Sequence, residues 1–256
     1  MAYYVLIIML VLEHVKPYHP ILHHKQRWFV NFLLFFFSTS FIWLGKIFVT
    51  AYIVPLWQLN YTLALLIAQF VMLDVYHYAI HRLFHHYKIL WATHVVHHSD
   101  IEVDVTTEYR HHPFEVILNF TLFAIFSWTF AIQTELIAFY ATCAVSLSIW
   151  HHSNFLLPRV LDQVLAYVII TPRLHHLHHV SQRRLTDSNY GMIFSIWDRL
   201  FNTFSDEQMP TKHDYGLNYF NKPEQINILF VLKQPVKYLR QHNKHRNRLS
   251  KKIDSV

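Results

Sequence analysis

Three glycines, Gly45, Gly191 and Gly216, serve 256 residues. That scarcity argues against glycine-rich phosphate loops and favours long helices. The one cysteine, Cys143, lies in an apolar run. It excludes both a disulfide framework and a cysteine-based zinc site. Charge is also scarce, with Asp, Glu, Lys and Arg at 15%, where a soluble domain carries about a quarter. What takes their place is apolar: 53% hydrophobic residues and 17% aromatic.

The apolar residues form long uncharged runs. A membrane span needs about 20 mainly apolar residues. Phe29–Gly45 extends past Lys46 to about Val54, where Pro55 breaks it. Leu56–Leu73 follows and ends at Asp74, and Val116–Thr134 and Leu136–Trp150 are uncharged again. These runs predict two helical hairpins, the last member short enough to tilt or to stop short of crossing. Met1–Leu12 is too short to span and lacks the basic start of a signal peptide. It reads as an interfacial helix. Two hairpins return the chain to its starting side. Lys25, Arg27, Arg82, Lys88, Arg110, Arg173 and the basic tail all lie on that side, which makes it cytoplasmic by the positive-inside rule. A soluble protein with buried helices is the bland alternative, and such long uncharged runs disfavour it.

Histidine is the anomaly, with 22 copies. Nine fall in 77–112 and six in 151–179. On a helix, positions i, i+3 and i+4 share a face. His81 and His85 are one turn apart; His94 stands beside His97 and His98; His175 stands beside His178 and His179. Neutral imidazole is the commonest metal-binding side chain. Eight such nitrogens are too many for one zinc, which takes about four ligands, and they suit two ions. His152, at the returning end of the second hairpin, is a natural ninth. His77, His86, His151 and His176 each have a better-placed neighbour and read as packed side chains. His111 and His112 stand open between the two roles. Soluble di-iron bundles use paired Glu-x-x-His motifs. Only Glu108 and His111 have that spacing here, so that class does not fit. Imidazole suits iron, zinc, copper and nickel alike, so ligand type leaves the metal open.

The assembled motifs resemble the fatty acid hydroxylase/sterol desaturase superfamily over about Asp74 to Phe204. "DVYHYAIHRLFHH" and "WATHVVHHS" are similar to its first two histidine boxes, and "TPRLHHLHH" to its last. "RHHPFE" resembles its Arg-x-His-Pro-x-Glu element and "WHHSN" its His-Ser-Asn element. "NYGMIFSIWDRLFNTF" resembles its closing signature, with Asn202 where a glycine is common.

The resemblance implies an all-α integral membrane protein with two transmembrane hairpins and a cytoplasmic helical cap. That cap would hold a His-rich di-metal site of two iron ions, with O2 as co-substrate. It implies hydroxylation or desaturation of a lipid, sterol, fatty acyl or related, drawn from the bilayer. No His-Pro-Gly-Gly heme motif is present, so it implies a separate electron donor: a cytochrome b5, a ferredoxin or a reductase. Nucleic acid is not an expected partner. The membrane would be a bacterial inner membrane or the endoplasmic reticulum.

The expected metal ligands are His81, His85, His94, His97, His98, His152, His175, His178 and His179. His112, Asp74, Asn154, Asn189 and Asp198 are candidates for a ligand or for a group orienting one; Asp104 and Glu108 are further carboxylates placed to orient a ring. The expected organisation is 1–27, an N-terminal interfacial segment; 28–80, the first hairpin; 81–113, histidine boxes one and two; 114–150, the second hairpin; 151–236, the catalytic region with the third box; and 237–256, a basic tail. Val160–Ile170 reads as an interfacial helix, and Ile193–Phe204 as a helix packed on the catalytic unit. The competing function is a His-rich metal transporter or buffering protein, which would place ligands near mid-bilayer. A zinc hydrolase of lipids would want a general-base Glu within a cluster.

Overall fold

The computed structural model describes residues 1–22, 24–52, 62–208 and 215–253. The turn expected at Pro55, and His213, lie outside the described residues. Among the described residues there are α-helices, short 3-10 turns and isolated bridges, but no β-strand. The helices are α1 (Ala2–Val15), α2 (His24–Tyr52), α3 (Leu63–His86), α4 (Lys88–His98), α5 (Pro113–Thr129) and α6 (Thr134–His152). The shorter α7 (Arg159–Leu165), α8 (Pro172–His178), α9 (Arg183–Thr186), α10 (Ile196–Leu200) and α11 (Ile228–Leu232) follow, and α12 (Gln234–Ile253) closes the chain.

Local chemistry sets the helix ends that matter. Thr62 caps α3 by accepting the Leu65 amide at 3.2 Å. From there α3 runs uninterrupted to His86, so one rigid rod carries the apolar run and the first histidine pair. The expected boundary at residue 80 falls inside that helix. Pro113 opens α5 and Pro172 opens α8, the position where a missing N–H costs nothing. Thr171 caps α8 through the Leu174 amide. Of the described helices, only α3 is long and apolar enough to cross a membrane; α1 and α5 are shorter apolar helices.

Helix α2 packs on α5, α3 on α4 and α6, α1 on α6, and α12 on α4. Leu73, Ile132, Tyr140, Ala144 and Ile193 form one core between α3, α6 and the segment after residue 190. Between α4 and α5 the chain folds back on a buried polar lock. Arg27 donates to Asp100 Oδ1 at 2.6 Å and to Asp104 Oδ2 at 2.8 Å. Arg110 donates to the Val96 carbonyl and to Asn31 Oδ1, both at 2.9 Å. Asp104 also serves η1, the 3-10 turn Val105–Tyr109, as its capping residue. Arg27 therefore ties α2 to the segment between α4 and α5.

The expected helix over Ile193–Phe204 is shortened to α10, Ile196–Leu200. The reason is the pairing with 168–170: the Ile193 carbonyl accepts the Ile170 amide at 2.9 Å and the Ser195 amide donates to the Val168 carbonyl at 3.0 Å. Asp74 anchors the same segment, its Oδ1 accepting the Ile193 amide and its Oδ2 the Phe194 amide, both at 3.1 Å. Phe194 bridges to Ile169 instead. Gly191 is required there, because a Cβ would meet the Phe194 carbonyl at 2.5 Å. Asn202 has φ +57°, the left-handed region that favours glycine and that Asn tolerates. The Asn-for-Gly departure thus keeps the same turn. The expected Val160–Ile170 helix contracts to α7, with Val160, Leu161, Val164 and Val168 exposed.

Candidate metal centre

Two groups of imidazoles meet where α3, α4, α6 and α8 converge. His81, His85, His94, His98 and His178 form the first; His97, His152, His175 and His179 form the second. Within each group the ligand nitrogens lie within 4.8 Å of one another. Adjacent residues His97 and His98 feed different groups, as do His178 and His179. All nine are buried except His81, which is half-buried.

For five of the nine, hydrogen bonds at Nδ1 fix which nitrogen faces inward. His178 Nδ1 donates to the Ser188 carbonyl at 2.7 Å and His81 Nδ1 to the Tyr190 carbonyl at 2.9 Å. His94 Nδ1 meets Glu115 Oε1 at 2.8 Å, and His85 Nδ1 lies 3.3 Å from Asp187 Oδ1. His152 Nδ1 donates to the Ser148 carbonyl at 2.8 Å. With Nδ1 protonated, Nε2 carries the lone pair. Yet His178 and His81 place their Nε2 atoms 3.1 Å apart. His175 Nε2 lies 2.8 Å from His152 Nε2 and 3.1 Å from His179 Nε2. The facing lone pairs of His178 and His81 repel unless a cation takes both. In the second group the Nδ1 atoms of His175 and His179 have no hydrogen-bond partner, so there only the convergence of nitrogens points to a metal. The Nε2 atoms of His85, His94 and His98 are buried with no partner, as metal-ready nitrogens would be. Backbone and carboxylate anchors behind the rings are the usual support of a histidine metal site. The donor set therefore fits two metal ions.

Burial and neighbouring imidazoles push His97, His98, His175, His178 and His179 well below the ordinary histidine value. They stay neutral at physiological pH, and a metal displaces no proton from the inward nitrogen. Burial raises the Glu108 carboxyl to about 7.

A cavity of about 200 Å³ opens beside both groups. Its histidine wall includes His81, His94, His97 and His152. Tyr76, Ile80, Phe84, Phe123 and Met192 make an apolar wall.

The other expected residues sit elsewhere. Asp74 accepts from Tyr140 Oη and Trp197 Nε1 besides the two amides, not from a histidine. Asp198 accepts the Tyr190 and Gly191 amides at 2.7 and 2.9 Å. It reaches His81 only through the Tyr190 backbone. Asn154 holds both the amide and the carbonyl of His19. Asn189, at φ +52°, donates to the Leu174 and Ser205 carbonyls. His112 caps α5 through the Phe114 amide, and its Nε2 donates to the Leu232 carbonyl. Asp104 is taken by Arg27. Of the four carboxylates expected to orient rings, only Glu108 approaches a grouped histidine, His152, at 3.4 Å. His176 turns away to Tyr215 Oη and the Ser153 carbonyl.

Glu115 was visible in "RHHPFE" but not as an orienting group. One oxygen, Oε1, accepts from both His94 and His111, at 2.8 and 3.0 Å. Its i,i+4 relation to His111 was the available signal. Asp187 and the Ser188 and Tyr190 carbonyls had none. Glu115→Gln keeps the volume and removes the charge that strengthens His94. The expected result is metal affinity lowered about 10–100-fold in a chelator competition, with the helical circular-dichroism signal retained.

The fatty acid hydroxylase family model matches residues 66–203, more than half of the chain. The chain belongs to the fatty acid hydroxylase family. Within this family it is 28% identical over 164 residues to alkylglycerol monooxygenase of Homo sapiens, covering 63% of this chain and 35% of the relative. It is 28% identical over 155 residues to ornithine lipid hydroxylase OlsE of Rhizobium tropici, covering 60% and 44%. With methylsterol monooxygenase 1 of Gallus gallus the identity is 32% over 137 residues, covering 53% and 44%. The hydroxylase-family chain thus matches less than half the length of each of these relatives. No solved structure matches it.

Proposed function

We propose that this protein is a membrane-bound non-heme di-iron oxygenase that hydroxylates or desaturates a lipid. One observation carries the reading: two groups of histidines gather ring nitrogens within 4.8 Å of one another, with the Nε2 lone pairs of His81 and His178 facing, beside a cavity with an apolar wall. The family relatives named as monooxygenases and hydroxylases of lipids support it.

When bound, two irons would supply the activation of O2 and the oxidation of an unactivated C–H bond. The nine histidines would hold them, through the assignments expected from sequence. Glu115, Asp187 and the Ser188 and Tyr190 carbonyls keep the rings in the metal-binding tautomer. Tyr76, Ile80, Phe84 and Phe123 bind the apolar part of the substrate and exclude water from the histidine wall. Inserting one oxygen atom and releasing the other as water consumes two electrons and two protons. A separate cytochrome b5, ferredoxin or reductase is the source of those electrons.

Two transmembrane hairpins with a cytoplasmic catalytic face remain the topology we favour. Large apolar side chains point outward along α2, α3, α5 and α6, Phe29, Phe36, Ile67, Ile125 and Phe139 among them. An apolar belt of that extent marks contact with lipid or a partner. The organisation expected from sequence, from 1–27 through 237–256, fits that topology once α3 is continued through His86. A metal transporter or buffer is disfavoured by the cavity, since neither needs an apolar chamber beside its ions.

The test is expression in a host that supplies a reductase, followed by lipid mass spectrometry and metal analysis. The expected product gains one oxygen atom or loses two hydrogens, only when O2 is present. The expected metal content is two irons per chain, one for each group. One zinc per chain with no O2-dependent product would overturn the reading.

A further inference from the structure

One buried edge of the first histidine group is aromatic. The Trp91 ring lies 4.7 Å from the His85 ring and 5.1 Å from the His98 ring, centre to centre. Its Nε1 donates to Tyr219 Oη at 3.2 Å. The Tyr219 ring is 5.6 Å from the ring of Tyr238 on α12. Trp91 is buried, and Tyr219 and Tyr238 are half-buried. Ring contacts and one hydrogen bond thus connect the histidines to the outer helix.

The surface over its far end is basic. Residues 234–253 contain no Asp or Glu. Lys237 and Arg240 flank Tyr238 and share a helix face. Lys88 reaches α12 through Asn243 Oδ1 at 2.6 Å. Among the described residues, Lys88, Lys233, Lys237 and Arg240 have no carboxylate partner. Arg183 is exposed and pairs with Asp187 at 2.8 Å.

We propose that α12 is the docking face for an acidic one-electron carrier protein, and that Tyr238, Tyr219 and Trp91 bridge the carrier to the histidine group of His81, His85, His94, His98 and His178. This rests on the oxygenase reading above. Electron transfer weakens steeply with the gap between groups, so a path of ring contacts joined by a hydrogen bond outperforms one across aliphatic packing. Two reduced carriers each lose one electron in turn, and the metal pair gains two. No bond forms or breaks in the three side chains, and none is left oxidised. Opposite charge steers such short-lived encounters and sets their rate more than their affinity. An acidic protein is favoured over anionic lipid because the basic face covers the end of the aromatic chain.

The test uses the full iron-loaded chain in detergent, with reduced plant-type ferredoxin as the acidic probe. Reduced methyl viologen, a small cation, serves as a bypass. In a Lys237→Glu/Arg240→Glu variant, ferredoxin-driven iron reduction should slow at least about tenfold at low salt. The gap should close at high ionic strength. Binding of oxidised ferredoxin should weaken in parallel, while methyl viologen reduction stays unchanged. Tyr219→Leu should slow the transfer rate at saturating ferredoxin several-fold with binding and iron content intact, and Tyr219→Phe, which keeps the ring against Tyr238 but loses the hydroxyl that meets Trp91, should recover only part of it. Unchanged ferredoxin binding and rate in the charge-reversed variant would overturn the docking face. Loss of binding to anionic vesicles alone would make α12 a lipid-facing surface and also overturn it. Equal rates in Tyr219→Leu and the parent would remove the bridge. If methyl viologen fails to reduce the parent as well, the oxygenase reading itself falls.

Discussion

His179→Ala is expected to abolish product formation and to lower the iron content of the purified chain from two per chain toward one. The second histidine group has four members, His97, His152, His175 and His179. Its rings face each other edge on, with His179 Nε2 3.1 Å from His175 Nε2. Deleting one ring leaves three nitrogens and a void beside them. Removing a group that only orients a ligand costs about 10–100-fold in affinity or activity, so removing a ligand should exceed about 100-fold. The first group, held by five other histidines, should keep its ion. His176 supplies the control. It lies three residues from His179, yet it points to Tyr215 and Ser153. His176→Gln should retain both irons. Metal analysis and turnover on the same preparations check both variants. A His179→Ala protein with two irons and full turnover would remove that group from the site.

The contrast between His176 and His179 shows what the sequence could convey. Spacing on one helix is local, so "HHLHH" already told which rings share a face. It could not tell that His178 and His179 diverge into different groups, because that depends on how α8 meets α4 and α6. The anchors behind the rings were hidden for the same reason. Ser188 and Tyr190 act through their carbonyls, and a carbonyl has no letter in a sequence. Asp74 is the instructive misreading. Its position two turns before His81 suggested a partner for a ring, but the Ile193 and Phe194 amides took its oxygens. The carboxylate thereby anchors the segment before α10 and not a ring, while backbone pairing with 168–170 keeps 193–195 out of the predicted 193–204 helix. The apolar runs were legible because burial and lipid contact leave the same signal. That signal does not separate a core helix from a spanning one, and among the described helices only α3 passes by length and composition.

The second large effect is on stability. Arg27→Met should destabilise the chain by about 3–5 kcal/mol, the usual cost of stripping one partner from a buried ion network. Arg27 is fully buried and serves Asp100 and Asp104 at once, at 2.6 and 2.8 Å. Both carboxylates are buried too, so neither can recruit water in its place. The pair stands at the base of the loop that carries Glu108, His111 and Glu115 to the histidine wall. Loosening it should therefore unseat the cavity as well as lower the melting temperature. If the penalty is the two unpaired charges, neutralising them should return much of it. In the Arg27→Met/Asp100→Asn/Asp104→Asn chain the melting temperature should recover most of the way. Asn at 104 can still accept the Thr106 amide that Asp104 now takes at 2.8 Å, so the cap of η1 survives. Scanning calorimetry or tryptophan emission in detergent reads both variants. A triple variant no more stable than Arg27→Met would show that shape, and not charge, makes Arg27 indispensable.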